Sequence, residues 1–170
     1  EYISSLYVYD LKKGHSELFF KDLSTYACEV NTQRKSSIFE NVDLDTRSKR
    51  LFSIPSGSQK EYVNKYETGN RIPLLKLSEM YLIAAEASGD IGYLEELRAH
   101  RGYANQPLPE EADLQEELRK EYQKEFVAEG QLFYFYKRQN LTTIPFTAQA
   151  MRDVYVFPMP DNELEFGNIK

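Results

Sequence analysis

Arg71-Ile-Pro-Leu-Leu-Lys-Leu-Ser-Glu-Met-Tyr-Leu-Ile-Ala-Ala-Glu-Ala-Ser-Gly-Asp90 is the stretch that decides the fold. From Leu74 to Ser88 only Lys76, Ser78, Glu79, Glu86 and Ser88 are polar. Lys76, Glu79 and Glu86 are spaced by three and seven, so on a helix they share one narrow stripe. A helix that is apolar nearly all round is a buried one. Pro73 suits a first turn, Asn70 stands just upstream, and Gly89 suits the position after the last turn. The reading is a buried helix over 74–88 with Leu77, Met80, Tyr81 and Ala84 inside. Ala84, Ala85 and Ala87 are small and let neighbouring helices come close.

Asp90 then offers a cap for a second helix over 91–101. Ile91, Leu94 and Leu97 recur every three residues, with Leu94 expected in the core. Glu95 and Glu96 precede Arg98 and Arg101, the order that suits the helix dipole, and Gly102 ends the element. So short a link makes the two helices an antiparallel hairpin. Asn105 to Pro109 is a connection. Asp113 with Glu116 resembles a capping box that opens a long helix over 113–138. Leu114, Leu118, Tyr122 and Phe126 line it, and Phe133 and Tyr136 continue the stripe. Gly130 lies inside it, which calls for a kink or for another segment pressing on the backbone.

The flanks read differently. In 1–66, Leu6-Tyr-Val-Tyr9 is β-prone and stops at Asp10, and Glu17 to Phe20 is a second candidate strand. Residues 24–30 are ambiguous, while 31–37 and 56–60 are polar and read as loops. In 141–170, Val154 to Phe157 alternates like a strand. Pro158-Met-Pro160 is stiff, and 161–168 is a polar turn with Leu164 and Phe166 as anchors. The expected organisation is an irregular, strand-containing segment at 1–66, a helical core at 67–140 and an extended tail at 141–170.

Composition removes several function classes. The chain has 170 residues, 41% of them hydrophobic, enough to bury a real core. It carries 21 Lys and Arg against 27 Asp and Glu, for a net charge of −6. No basic excess remains to neutralise a phosphate backbone, so nucleic acid is not an expected partner. No apolar run approaches the ~20 residues that span a bilayer. The single cysteine, Cys28, excludes an internal disulfide and a cysteine-based zinc site, and reads as a small buried hydrophobe. The chain opens at Glu1 without a signal sequence, so a mature protein or an excised piece is expected.

The residues that carry chemistry are sparse. His15 reads as a turn residue and His100 as a surface cation near a helix end. Glu95-Glu96, Glu110-Glu111 and Glu116-Glu117 read as wet helix faces, not as two carboxylates placed across a cleft. Asp43-Leu-Asp45 faintly suggests a phosphatase or metal site, but no apolar strand leads into it. Arg47-Ser-Lys-Arg50 is the densest basic cluster and reads as a solvated turn. No glycine-rich phosphate loop occurs, and no catalytic residue, metal or cofactor is expected. The aromatics carry more. There are 13 Tyr and 10 Phe with no Trp. Tyr7 and Tyr9 share a strand face, where they either stack on sugar rings or line a helix–strand interface. Phe133-Tyr-Phe-Tyr136 wraps a helix and is partly core.

Four of these segments together resemble the SusD/RagB family of nutrient-binding outer-membrane lipoproteins. Arg71 to Ala87 is similar to the family's "IPLLRLSEMYLIAAEA" helix. Leu94 to Gly102 is similar to "LNxIRARRG", Glu125 to Phe133 to "ERxxEFxxEGxRFxDLRR", and Tyr155 to Glu163 to the closing "LFPIPxxEI". Asp45-Thr-Arg47 matches a "DxR" element that precedes the first helix. Order and spacing agree over roughly 45–168, though Phe135-Tyr-Lys-Arg138 stands where the family has "DLRR". The resemblance implies a mainly α fold of tetratricopeptide-like helical hairpins with a minor irregular β portion. It implies a surface-exposed outer-membrane lipoprotein, anchored through a lipid outside this chain. Such a protein captures an oligosaccharide or other nutrient without cleaving it and hands it to a TonB-dependent transporter. The family's sugar-contacting residues lie mostly outside these motifs, so none is carried over, and Tyr7 and Tyr9 remain the ligand-binding candidates from the residues alone. Two other classes stay open: a tetratricopeptide-like protein–protein scaffold, and a glycoside hydrolase.

Overall fold

The computed structural model describes residues 2–10, 29–54, 56–57, 59–65, 70–148, 150–151, 154–156 and 159–160. Glu1–Glu129 and Gly130–Lys170 are two compact units. Among the described residues the architecture is mixed and mostly helical, with two small two-stranded sheets. His15, the candidate strand at 17–20, Cys28 and the polar turn at 161–168 lie outside the described residues.

In the first unit, β1 (Tyr2–Tyr7) pairs antiparallel with β4 (Arg71–Lys76), Tyr7 opposite Arg71 and Tyr2 opposite Lys76. The segments expected at 1–66 and 67–140 are thus joined by one ladder. This overturns the reading of 74–76 as helix: Leu74, Leu75 and Lys76 are strand. Pro73 fixes its own φ and pushes Ile72 extended, and β1 supplies the ladder bonds that a helix would otherwise make internally. β1 also begins earlier than the Leu6–Tyr9 run and stops at Tyr7.

α3 (Leu77–Ser88) starts directly where β4 ends, and Gly89, at φ +72°, closes it in the left-handed region. α4 (Gly92–Arg98) follows and packs on α3, as the short link requires. Asp90 Oδ1 accepts from Gly92 N at 2.8 Å, but the cap position is Ile91, one residue later than expected, and it makes no side-chain cap. Leu82, Ala85 and Leu94 are fully buried and Met80, Tyr81 and Ala84 half-buried. Leu77, expected inside, is 47% exposed because it sits on the first turn beyond the ribbon. The second helix ends at Arg98 and not at Arg101; a π-type turn, Ala99–Tyr103, takes over.

α5 (Leu114–Glu125) also packs on α3. Asp113 caps it, accepting from Gln115 N at 2.8 Å. Leu118, Tyr122 and Phe126 are buried as the periodicity requires. The single helix expected over 113–138 is two. Ala128 (φ +61°) and Gly130 (φ +75°) leave the right-handed region, and α6 (Gln131–Arg138) starts afresh. Among the described residues nothing lies within 4 Å of a Cβ placed on Gly130. The glycine marks a break in the helix, and no segment among the described residues presses on it.

The loop read at 31–37 and the solvated turn read at 47–50 are helices. Asn31 Oδ1 caps α1 (Thr32–Ile38), accepting from Arg34 N at 3.0 Å. Asp45 caps α2 (Thr46–Arg50) in the same way. β2 (Phe52–Ser53) and β3 (Tyr62–Val63) form the second sheet. In the second unit, Phe135 and Tyr136 on α6 are buried while Tyr134 is exposed. Tyr155 donates to Leu141 O at 2.8 Å, and 154–156 is a turn and bend where a strand was expected. That hydrogen bond ties Tyr155 inward across the unit instead of leaving its segment free to pair.

Candidate functional site

The sequence offers two kinds of feature, exposed tyrosines and paired charges, and the structure separates them. Tyr7 ends β1 and is 68% exposed; Tyr9 lies two residues further and is 88% exposed. Val8 N donates to Asn70 O at 2.8 Å, which carries the ladder one residue past the strand. Asp10 then turns the chain at φ +55°, a region that a short polar side chain tolerates. Both rings therefore stand on the end of a two-stranded ribbon, open to solvent. Leu6, Leu74 and Leu75 on the same ribbon are exposed as well.

The charged residues do something else. Arg47, expected in a solvated turn, is buried, and so is Ser48; only Lys49 and Arg50 of that cluster are exposed. Asp45 grips Arg47 in a fork, with Nε donating to Oδ1 at 3.0 Å and Nη2 to Oδ2 at 2.8 Å. Arg47 also donates to Glu121 Oε2 at 2.7 Å and to Glu125 Oε2 at 3.2 Å. Glu121 accepts in turn from Arg98 Nη1 and Lys124 Nζ, each at 2.8 Å. Arg101 reaches both oxygens of Glu125 at 3.2 Å. At the end of α5, Lys65 donates to the carbonyls of Glu125 (2.8 Å) and Val127 (3.1 Å) and also pairs with Glu129. Lys76 joins Glu129 at 3.0 Å and sits 4.3 Å over the Phe126 ring.

These contacts set the ionisation states. Burial raises the carboxyl of Glu121, but Arg47 and Lys124 outweigh it and hold the group down at about 2. Glu125 is likewise at about 2, burial being outweighed by Arg101, Arg47 and Lys76. Burial pushes the Lys65 ammonium down to about 8, helped by Lys76. Burial, then the charges of Asp45 and Glu121, push the Tyr103 phenol up to about 12. A general acid for glycoside cleavage needs a carboxyl raised toward neutrality. Glu121 and Glu125 are shifted the opposite way and have cations on both oxygens. Their arrangement is that of a structural clamp between α2, α4, the π turn and α5.

The remaining candidates are placed as follows. Asp45 is taken by Arg47 and by the cap of α2, so the Asp43-Leu-Asp45 motif carries no open site. His100 is exposed and lies 3.2 Å from Glu96 Oε1. Glu116 pairs with Arg119 on the wet face, while Glu117 is buried beside Lys120. Among the described residues no group of three or more His, Cys, Asp or Glu could hold a metal ion. None of the described helices is long and apolar enough to cross a membrane. The Glu121–Glu125–Glu129 ladder was missed in the sequence, although its spacing of four, next to Tyr122 and Phe126, places it at the edge of the buried stripe.

Compared with protein-family models, with curated proteins and with solved structures, the chain gives no match.

Proposed function

We propose that this chain belongs to a non-catalytic nutrient-capture protein of the SusD/RagB kind, whose tyrosine-bearing ribbon contacts an oligosaccharide. In this reading α3 and α4 are one tetratricopeptide-like hairpin of a scaffold. The protein is lipid-anchored at the outer-membrane surface and hands its ligand to a TonB-dependent transporter. The observation that carries the reading is the exposure of Tyr7 and Tyr9 at the end of a ribbon and turn. A peptide-binding scaffold would concentrate exposed aromatics along a helical groove, whereas flat rings on a strand end suit the CH faces of sugars. A second support is that the segments carrying the resemblance supply the clamp: Arg47, Lys76, Arg98, Glu125 and Glu129 all lie within them. The clamp makes sense of that residue pattern without any catalytic role.

The test is titration calorimetry of the chain with a panel of oligosaccharides at low and high salt. Binding that is nearly independent of salt, and lost in the Tyr7→Ala/Tyr9→Ala double variant, is the expected outcome, since stacking involves no net charge. Binding of peptides but of no glycan would favour the scaffold. Hydrolysis abolished by one carboxylate substitution would establish an enzyme instead.

A further inference from the structure

After α5 the chain leaves the helix at a place where its own sequence favours continuing. Leu118, Tyr122 and Phe126 form the buried stripe of α5, and Phe133 and Tyr136 carry that stripe on at helical spacing. Ala128 stands between them. Alanine has the highest helix propensity of any residue, yet Ala128 holds φ +61°. A left-handed backbone is unfavourable for it, because its Cβ crowds the following carbonyl. Its side chain is exposed, so no packing around the methyl group demands that conformation.

Two cations from elsewhere in the fold account for the break. In a continued helix Glu125 O would accept from Glu129 N, and Val127 O from Gln131 N. Lys65 Nζ, just past β3, takes both of these carbonyls, at 2.8 Å and 3.1 Å. Lys76 Nζ, at the end of β4, reaches Glu125 O as well, at 3.3 Å. Both lysines pair with the carboxylate of Glu129, and Glu129 N donates to Phe126 O at 3.1 Å, one residue short of the helical partner. The turn thus trades two backbone hydrogen bonds for lysine contacts. It also carries costs that a helix would not: a left-handed alanine and two buried ammonium groups side by side. Burial and the charge of Lys76 push Lys65 down to about 8, against the pull of Glu129 and Glu125.

We propose that residues 126–131 are a two-state joint: a turn while Lys65 and Lys76 hold the carbonyls of Glu125 and Val127, and a continuation of α5 when the lysines withdraw. The lysines stand at the ends of β3 and β4, so whatever displaces either strand end biases the joint. Protons bias it too. The charged groups facing Lys65 are Lys76 from β4 and Glu125 and Glu129 from the end of α5. Withdrawn into solvent, Lys65 returns to its ordinary value of 10.5, so between about pH 8 and 10.5 the turn binds fewer protons than the helical form. Rising pH across that interval therefore favours the turn. This joint is independent of the glycan reading.

The experiment is nuclear magnetic resonance of the chain, reading Cα chemical shifts at 127–130 and amide hydrogen exchange at Glu129 and Gln131. The wild type should show non-helical shifts at Ala128. In Lys65→Met the shifts at 127–130 should become helical, and the two amides should exchange at least about tenfold more slowly. Protection retained at Leu118 and Tyr122 shows that the variant is folded. Ala128→Gly puts at φ +61° the residue that adopts it freely, so its melting temperature should hold or rise. Added to Lys65→Met, it should bring back the non-helical shifts. Non-helical shifts at 127–130 in a folded Lys65→Met would overturn the joint, and a lowered melting temperature in Ala128→Gly would overturn the strain it rests on. Should Lys65→Met fail to fold, relaxation dispersion of the wild type decides. Exchange with a helical form at 127–131 is expected at pH 7, with its population falling about tenfold or more by pH 9.5. No dispersion there, or a helical population that grows with pH, would overturn the joint. None of these readouts involves Tyr7 or Tyr9, so failure here leaves the glycan reading standing.

Discussion

Gly102 holds a φ of +110°, and a Cβ built on it would collide with the carbonyl oxygen of Leu44. It is the position where the π turn lies against the chain just before Asp45, and so lets Arg98 and Arg101 reach the carboxylates around Arg47. Gly102→Ala combines a left-handed backbone with a backbone clash, and a loss of about 2–4 kcal/mol is expected by urea unfolding. Gly130 is the control. Its φ is also positive, but nothing among the described residues stands within 4 Å of its Cβ position, so Gly130→Ala should be destabilising by only about 1 kcal/mol. Equal effects at the two glycines would contradict the clash. Composition alone could not rank them: both interrupt helical patterns, and only the approach of Leu44, fifty-eight residues away in the chain, separates them. Tyr9 is the opposite case. At 88% exposure, Tyr9→Ala should leave stability within about 0.5 kcal/mol, so any lost ligand binding reports on the site.

α5 shows how one helix serves two kinds of core. Leu118, Tyr122 and Phe126 bury its apolar stripe, and the neighbouring Glu121 and Glu125 bury its charges. Glu121 is fully buried and holds Arg47, Arg98 and Lys124 together. Glu121→Gln leaves three cations short of a counter-charge, and a loss of about 3–5 kcal/mol is expected in thermal or urea unfolding. A change below about 1 kcal/mol would mean that water already screens the cluster. The apolar half of α5 was legible in the sequence, as were the caps at Asp113 and Gly89, because periodicity and capping are local. The charged half was not, because a buried glutamate and a solvated one look alike until their partners are known. The same limit explains Arg47, whose partners lie 74 and 78 residues away. It also explains residues 31–37, where Asn31 is a good cap but no apolar stripe announces a helix. At 74–76 the local pattern favoured helix, and pairing with a distant strand overrode it.

At the scale of the molecule, the clamp makes stability depend on acid in a predictable direction. Glu121 and Glu125 have folded-state values of about 2, against an ordinary value of 4.5. A carboxyl depressed by folding binds more protons when unfolded, so stability rises with pH across that interval. The contribution is complete above about pH 4.5 and is lost as pH falls toward 2. Glu40, half-exposed beside Lys120 and Lys124, is lowered as well and adds in the same sense. Each of the two buried glutamates contributes on the order of 3 kcal/mol, less whatever their shared contacts with Arg47 make redundant. A domain of this size has only about 5–15 kcal/mol in total, so unfolding near pH 3 is expected. Urea denaturation at pH 7, 4.5, 3.5 and 2.5 measures it. The midpoint should hold between the first two and fall steeply after. Salt should not restore it, because screening reaches exposed pairs far more than buried ones. Glu116→Gln provides the comparison, since that carboxyl is also lowered by Arg119 but stands on the wet face of α5. It should leave the acid limb where it is, whereas Glu121→Gln should flatten it while lowering the whole curve. A midpoint independent of pH down to 2.5 would mean that the buried glutamates are protonated, or wet, in the folded protein.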